Sequence, residues 1–322
     1  MNTLRSCCGL WLVSTIGLQG QILLSGGLNY SQNFDSLACV SIGATVPWAD
    51  NTTLPGWYAS RAHQASGGAY GPYPYVSYRV SGGDHNDGWI YSFGTNGVNP
   101  ITERAFGSVS SSLPGTNAWG VRFQNNTTNL LGQVMISYTG EQWRNGGNAN
   151  TQTMYFTYRT SASPIPDPTP GNESAWTPFP ALNFNTPATG TTALPVDGNA
   201  PYNRTIFSNV LLPGVLLNPG DEIFLRWHDI NDVGNDHGFG VDDLTVSFSI
   251  VQPMFISNCR WETGRMRFDL CGMSGQTAVV QATTNWLNWV SLSTNSLSST
   301  PTPFSDPQSP AFPSRFYRLR TP

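Results

Sequence analysis

The chain has no lysine, so all 15 of its basic residues are arginine. Charged residues make up only 11% of it, and the net charge is -4 with a pI near 5.5. A basic stripe for nucleic acid or anionic lipid therefore has nothing to be built from, which excludes those partners. Long apolar runs are missing as well, and the one apolar stretch, near the N-terminus, is too short to span a bilayer. No segment carries a helical hydrophobic period bounded by caps. No nucleophile elbow is present, nor a phosphate-cradling glycine loop between a strand and a helix. The four histidines have no paired cysteines beside them, a weak basis for zinc even though His228 and His237 lie close together.

Aromatics (12%), 33 glycines and 24 prolines suit many short strands joined by tight turns, and the chain reads as all-β. Arg5 followed by the apolar stretch from Cys7 to Gly17 has the form of an export signal, with cleavage between residues 20 and 26. The protein is thus expected to be secreted or held at the cell surface. Residues 27–251 read as one antiparallel two-sheet β-sandwich. Its first strand is expected over Phe34–Ile42, and further strands follow from Trp57 to Ile250. Residues 64–88 read as mostly loop, and the proline-rich stretch 161–175 as an exposed excursion. Residues 252–322 read as a small second sandwich of five strands. In an exported protein Cys259 and Cys271 could pair there, although a hairpin turning at Glu262–Gly264 sets Cys259 opposite Arg267.

The densest signal lies between Asp229 and Asp243, which holds five of the 19 acidic residues. Carboxylates about 4 Å apart repel by roughly 1 kcal/mol in water and ~4 kcal/mol near a protein surface, so such a cluster calls for a cation or arginines. Asp229, Asn231, Asp232, Asn235, Asp236 and Asp242 are the hard oxygen donors that Ca²⁺ takes. Their spacing is not that of an EF-hand, since Val233 and Gly240 stand where donors would be needed. The competing reading is a salt-bridged loop in which Asp236 or Asp242 pairs with Arg144 or Arg226. Glu141 is expected to be buried against an arginine of a neighbouring strand. Tyr70, Tyr73, Tyr75 and Tyr78 lie in the Gly/Pro-rich stretch, where they could offer rings to a sugar or a protein, or fold back over a sheet.

Five segments in order, Asn33-Phe34-Asp35-Ser36-Leu37, Tyr91-Ser92-Phe93-Gly94, Glu103 to Ser108, Gly140-Glu141-Gln142-Trp143-Arg144 and Trp227 to Val246, resemble jelly-roll or concanavalin-like modules of secreted multidomain bacterial proteins. The stretch from Val279 to Trp289 resembles the immunoglobulin- or fibronectin-III-like modules that often end such proteins. The resemblance implies fold and export more than activity, because one sandwich hosts many functions. The functional expectation is a non-catalytic binding or adhesion protein for polysaccharide or cell-surface components. Its rivals are a structural spacer and a glycoside hydrolase. A hydrolase would need a second carboxyl group beside Glu141 in an open cleft.

Overall fold

The computed structural model describes residues 20–39, 42–63, 70–94 and 102–321, and it is all-β. The export signal through residue 19 lies outside the described residues. Among those described, the helical turns are three short 3-10 turns. The chain divides into two compact units. One comprises the described residues up to Asn126 with Ile136–Val210 and Gly220–Val246. The other comprises Thr127–Met135, Leu211–Pro219 and Ser247–Pro322.

Two sheets carry the larger unit. The first orders its strands Thr177–Pro178, Thr153–Ser161, Glu222–Asp229, Asn117–Gln124, Trp57–His63 and Tyr70–Pro74. The second orders Ala193–Pro195, Leu131–Gly146, Gly238–Ile250, Ala105–Val109, Trp89–Phe93, Ser77–Ser81 and Thr45–Pro47. Ser77–Ser81 runs parallel beside Trp89–Phe93 and Ile22–Leu23 parallel beside Phe123–Gln124, whereas Thr153–Ser161, Glu222–Asp229, Asn117–Gln124 and Trp57–His63 pair antiparallel. The alternation of the strands explains how the sheets meet. Ala59, Trp119, Trp227 and Phe156 line up across the first sheet. From that face Trp57 and Trp119 reach Phe106 of the second sheet, at 6.1 and 6.5 Å between ring centroids, and Trp227 reaches Tyr138 at 5.5 Å. These rings are fully buried, so the core is an aromatic one.

Three expectations need correction. The described residues of the expected strand, 34–39 and 42, do not form one, and a strand lies instead at Asn29–Gln32, while residues 40 and 41 lie outside the described residues. Asn33 and Asp35 bond to each other through their side chains, and Gln32 Oε1 accepts the Phe34 amide at 2.8 Å, so polar side chains close a turn in place of a ladder. That turn holds Phe34 at φ 57°, its ring 4.9 Å from Trp57. The stretch 64–88 is not all loop: residues 64–69 lie outside the described residues, and Tyr70–Pro74 and Ser77–Ser81 are strands. The excursion at 161–175 is not simply exposed. Alternate residues Phe224, Arg226 and His228 leave the core on the outer face of the first sheet, and the excursion covers them. Ile165 and Trp176 pack with Phe224 and Tyr58, and the Arg226 guanidinium lies 4.5 Å from the Trp176 ring.

The smaller unit contains two three-stranded sheets. One orders Phe255–Glu262, Arg265–Cys271 and Thr302–Asp306, and the other Val290–Ser296, Thr277–Thr283 and Phe316–Arg320. Phe268 and Leu270 from the first meet Ala278 and Val280 from the second, with Leu297, in one buried cluster. There are six strands, not five. Pro303 disguises the strand at Thr302–Asp306, which tolerates it as an edge strand. The Cys259–Cys271 bridge is not formed. The hairpin register sets Cys271 opposite Phe255, where its sulfur lies 3.2 Å from Ser257 Oγ, and leaves Cys259 exposed in a break of the ladder between Ser257 and Arg260.

Candidate functional site

The acidic loop from Ile230 to Asp236 joins two strands that belong to different sheets. Neighbouring amides pin it. Asn148 Nδ2 donates to Val233 O at 3.0 Å and to Asn235 O at 2.9 Å, and Gln152 Nε2 donates to the same Asn235 carbonyl at 2.9 Å. His237 Nδ1 accepts the Gly146 amide at 2.9 Å, so its Nε2 carries the proton and donates to Asn150 O at 3.1 Å. Burial lowers the pKa of this histidine, in keeping with a neutral ring. Within the loop Asp236 Oδ1 accepts the Asp232 amide at 2.8 Å. Neutral donors therefore hold the backbone of the loop, while burial and then Asp232 still raise the Asp236 carboxyl.

The six expected calcium donors do not converge. Asp229 is buried behind the loop, where Ser108 Oγ donates to it, and burial raises its carboxyl well above the usual range. Asp242 belongs to a separate cluster described below. Asn231, Asp232, Asn235 and Asp236 line an open groove of about 550 Å³ with Ser110 to Ser112 and Arg144 on its other walls. Burial pushes the Asp236 carboxyl up to about 6 and also raises Asp232. A second hollow of about 380 Å³ shares Asn86 and Ser111 with the groove and continues it past Trp89, Arg61 and Arg79.

Two of the four tyrosines, Tyr75 and Tyr78, do not offer their rings to a ligand. Tyr75 and Tyr78 are buried, because each hydroxyl finds a partner inside: Tyr75 donates to Asn117 Oδ1 at 2.6 Å, and Tyr78 accepts the Ala38 amide at 2.9 Å. Tyr73 is half-buried, and the side chain of Tyr70 lies outside the described residues. The half-buried Trp89 lines the second hollow. Its signal was the Asp-Gly-Trp step, which ends a turn and starts a strand at the groove.

The arginine pairings also differ from expectation. Arg144 Nη1 donates to the carbonyls of Gly83 at 3.0 Å and Asp84 at 3.4 Å, not to the loop acids or to Glu141. Arg226 pairs with Glu173 on the outer face. Among the described residues Glu141 has no arginine within ion-pair distance, but Arg204, on a strand paired with its own, is near enough to lower in part a pKa that burial raises. Glu141 Oε2 accepts Trp143 Nε1 at 3.0 Å.

Glu141 instead meets Glu103 and Asp242. Their carboxylate oxygens lie within 4.8 Å of one another, the one such group of three or more His, Cys, Asp or Glu among the described residues. They come from three neighbouring strands of the second sheet: Glu141 within Leu131–Gly146, Asp242 within Gly238–Ile250, and Glu103 just before Ala105–Val109. Glu141 is 1% and Asp242 5% exposed. Asn199 Nδ2 donates to Glu103, and the Asp243 amide donates to Asp242 Oδ1 at 2.7 Å. Burial and then the neighbouring Glu103 push the Glu141 carboxyl up to about 8, and burial and then Glu141 raise Asp242. All-oxygen donors at this spacing fit Ca²⁺, whose ligands stand ~2.3–2.6 Å from the ion. The buried pair does not form the open catalytic cleft that the hydrolase reading required.

No protein-family model matches the chain, and no curated protein matches it. Solved structures share only distant likeness. The β-1,2-glucanase of Parabacteroides distasonis is 10% identical with a TM-score of 0.20, over 72% of this chain, which spans 31% of that one. The adhesin domain of Epf from Streptococcus pyogenes is 10% identical with a TM-score of 0.29, over 91% of each chain. The β-glucuronidase of Ruminococcus gnavus is 8% identical with a TM-score of 0.18, over 85% of this chain and 41% of that one. None of the three bears on the chemistry of the groove.

Proposed function

We propose that the larger unit is a non-catalytic polysaccharide-binding module of an exported adhesion protein, and that the groove beside the loop from Ile230 to Asp236 holds the sugar. The observation that carries this reading is the pinned loop. Asn231, Asp232, Asn235 and Asp236 present amide and carboxyl groups to an open groove, on a backbone that Asn148 and Gln152 hold in place. Sugar hydroxyls both donate and accept, so preorganised groups of this kind bind them without the entropic cost of ordering the loop. The triad of Glu103, Glu141 and Asp242 is assigned in the same reading to a structural Ca²⁺ away from the sugar.

Affinity electrophoresis against a panel of soluble polysaccharides tests the assignment. At least one polymer should retard the protein, and Asp232→Asn combined with Asn86→Ala should abolish the retardation at unchanged melting temperature. A retardation that survives the double variant would move the binding site elsewhere. Release of reducing ends from the bound polymer, lost in Asp236→Asn, would overturn the non-catalytic reading, since two carboxyl groups do line the groove.

A further inference from the structure

The groove continues into the hollow around Trp89, and the charges there do not balance. Arg61 and Arg79 both lie against the Trp89 ring, with guanidinium carbons 5.2 and 5.6 Å from its centroid, and Arg61 also lies 5.1 Å from the Tyr75 ring. Both arginines line the hollow. Asp87 pairs with Arg79. Among the described residues no carboxylate pairs with Arg61, and its buried Nε has no hydrogen-bond partner. Two guanidiniums against one carboxylate leave one positive charge, held on two aromatic rings and facing a cavity.

We propose that this hollow is a subsite for a singly charged sugar, the carboxylate of a uronic-acid residue, which binds to Arg61. The inference rests on the polysaccharide reading of the groove and names the class of polymer. The charge argues for a monoanion, because Asp87 already neutralises Arg79 and a phosphate dianion would overshoot the single free guanidinium. The guanidinium fork matches the two oxygens of a carboxylate, and stacking on Trp89 holds the arginine in place. Next door, Asp232 and Asp236 face the groove and repel further carboxylates. The polymer therefore carries uronates spaced among neutral sugars and is not a continuous polyuronate.

The full chain should be titrated calorimetrically at low salt with a glucuronoxylan and with the same polymer after its carboxyl groups are reduced to alcohols. Reduction should weaken binding about tenfold. Arg61→Gln should bind the parent polymer no better than the wild type binds the reduced one, and should lose the difference between the two. Asp87→Asn frees Arg79 and should tighten binding of the parent polymer several-fold, a gain that a misfolded variant cannot mimic. Equal wild-type affinity for both polymers would overturn the subsite and leave the polysaccharide reading standing. Binding to neither, and to nothing in the wider panel, would remove both. Preference for dextran sulfate over the glucuronoxylan would assign Arg61 to sulfate esters and overturn the uronate. Tighter binding of polygalacturonate than of glucuronoxylan would overturn the spacing.

Discussion

Glu141 shows most plainly how burial and charge compete at a single residue. Its carboxyl has a folded pKa of about 8 against an ordinary value of 4.5, so between those limits the folded chain keeps a proton that the unfolded chain releases. The associated stability is complete below pH ~4.5 and is lost as pH rises through ~8, with a slope of at most about 1.4 kcal/mol per pH unit. In calcium-free buffer the melting temperature of the larger unit should therefore fall steadily from pH 5 to pH 8. Glu141→Gln keeps the acceptor for Trp143 Nε1 and cannot ionise, so it should flatten that fall and melt above the wild type at pH 8. A wild-type melting temperature that is level over this range would show that the carboxyl is not shifted. The type and position of this residue were legible in the sequence, and its partners were not. Alternation puts Glu141 and Trp143 on one face of a strand, but only the order of three strands drawn from distant parts of the chain brings Glu103 and Asp242 beside them. An arginine was the expected neighbour because a lone buried carboxylate is costly.

At the scale of elements, the loop from Ile230 to Asp236 is held by side chains about 85 residues earlier in the chain. Asn148→Ala removes the donors to Val233 O and Asn235 O, leaving one of the two carbonyls to water. A hydrogen bond exchanged for water costs about 0.5–1.5 kcal/mol net, so the two lost bonds should cost about 1–3 kcal/mol by denaturant titration. Polysaccharide affinity should drop by more than tenfold, because the donors in the groove lose their fixed positions. Lost stability with unchanged affinity would show that the loop is not the binding element. Trp227 makes the complementary case. It stacks on Trp57 at 5.9 Å and meets Phe156 at 5.3 Å, and Trp227→Ala should cost about 3–5 kcal/mol. The strand Asn117–Gln124 was readable because Trp119, Val121 and Phe123 alternate with Arg122 and Gln124, although the covering of its outer face, which buries both sides, was not. The tyrosine stretch was not readable. A run of rings with glycine and proline gives no period, and whether a hydroxyl meets an internal acceptor such as Asn117 depends on a strand far away in sequence.

For the whole molecule the decisive question is which unit answers to which perturbation. The sequence divides at a Pro-containing link near residue 252. The compact units divide near Val246 and also assign Thr127–Met135 and Leu211–Pro219 to the smaller one, a partition that no local signal carries. Each unit has its own buried cluster, aromatic in one and centred on Phe268, Leu270 and Val280 in the other, so calorimetry of the full chain should show two transitions. Glu103, Glu141 and Asp242 all belong to the larger unit. An ion that binds only the folded state adds about 2.7 kcal/mol at a hundred times its dissociation constant. Millimolar Ca²⁺ should therefore raise the larger unit's transition by several degrees and leave the other in place. Chelator should reverse the shift, and Glu141→Gln should remove most of it. Mg²⁺ should do less, since it demands octahedral geometry and gives up its waters reluctantly. A reductant should move neither transition, because Cys259 and Cys271 are free thiols. If Ca²⁺ moves both transitions or neither, the triad is not the cation site. If the reductant lowers the smaller unit's transition, the hairpin register that keeps the two sulfurs apart is wrong.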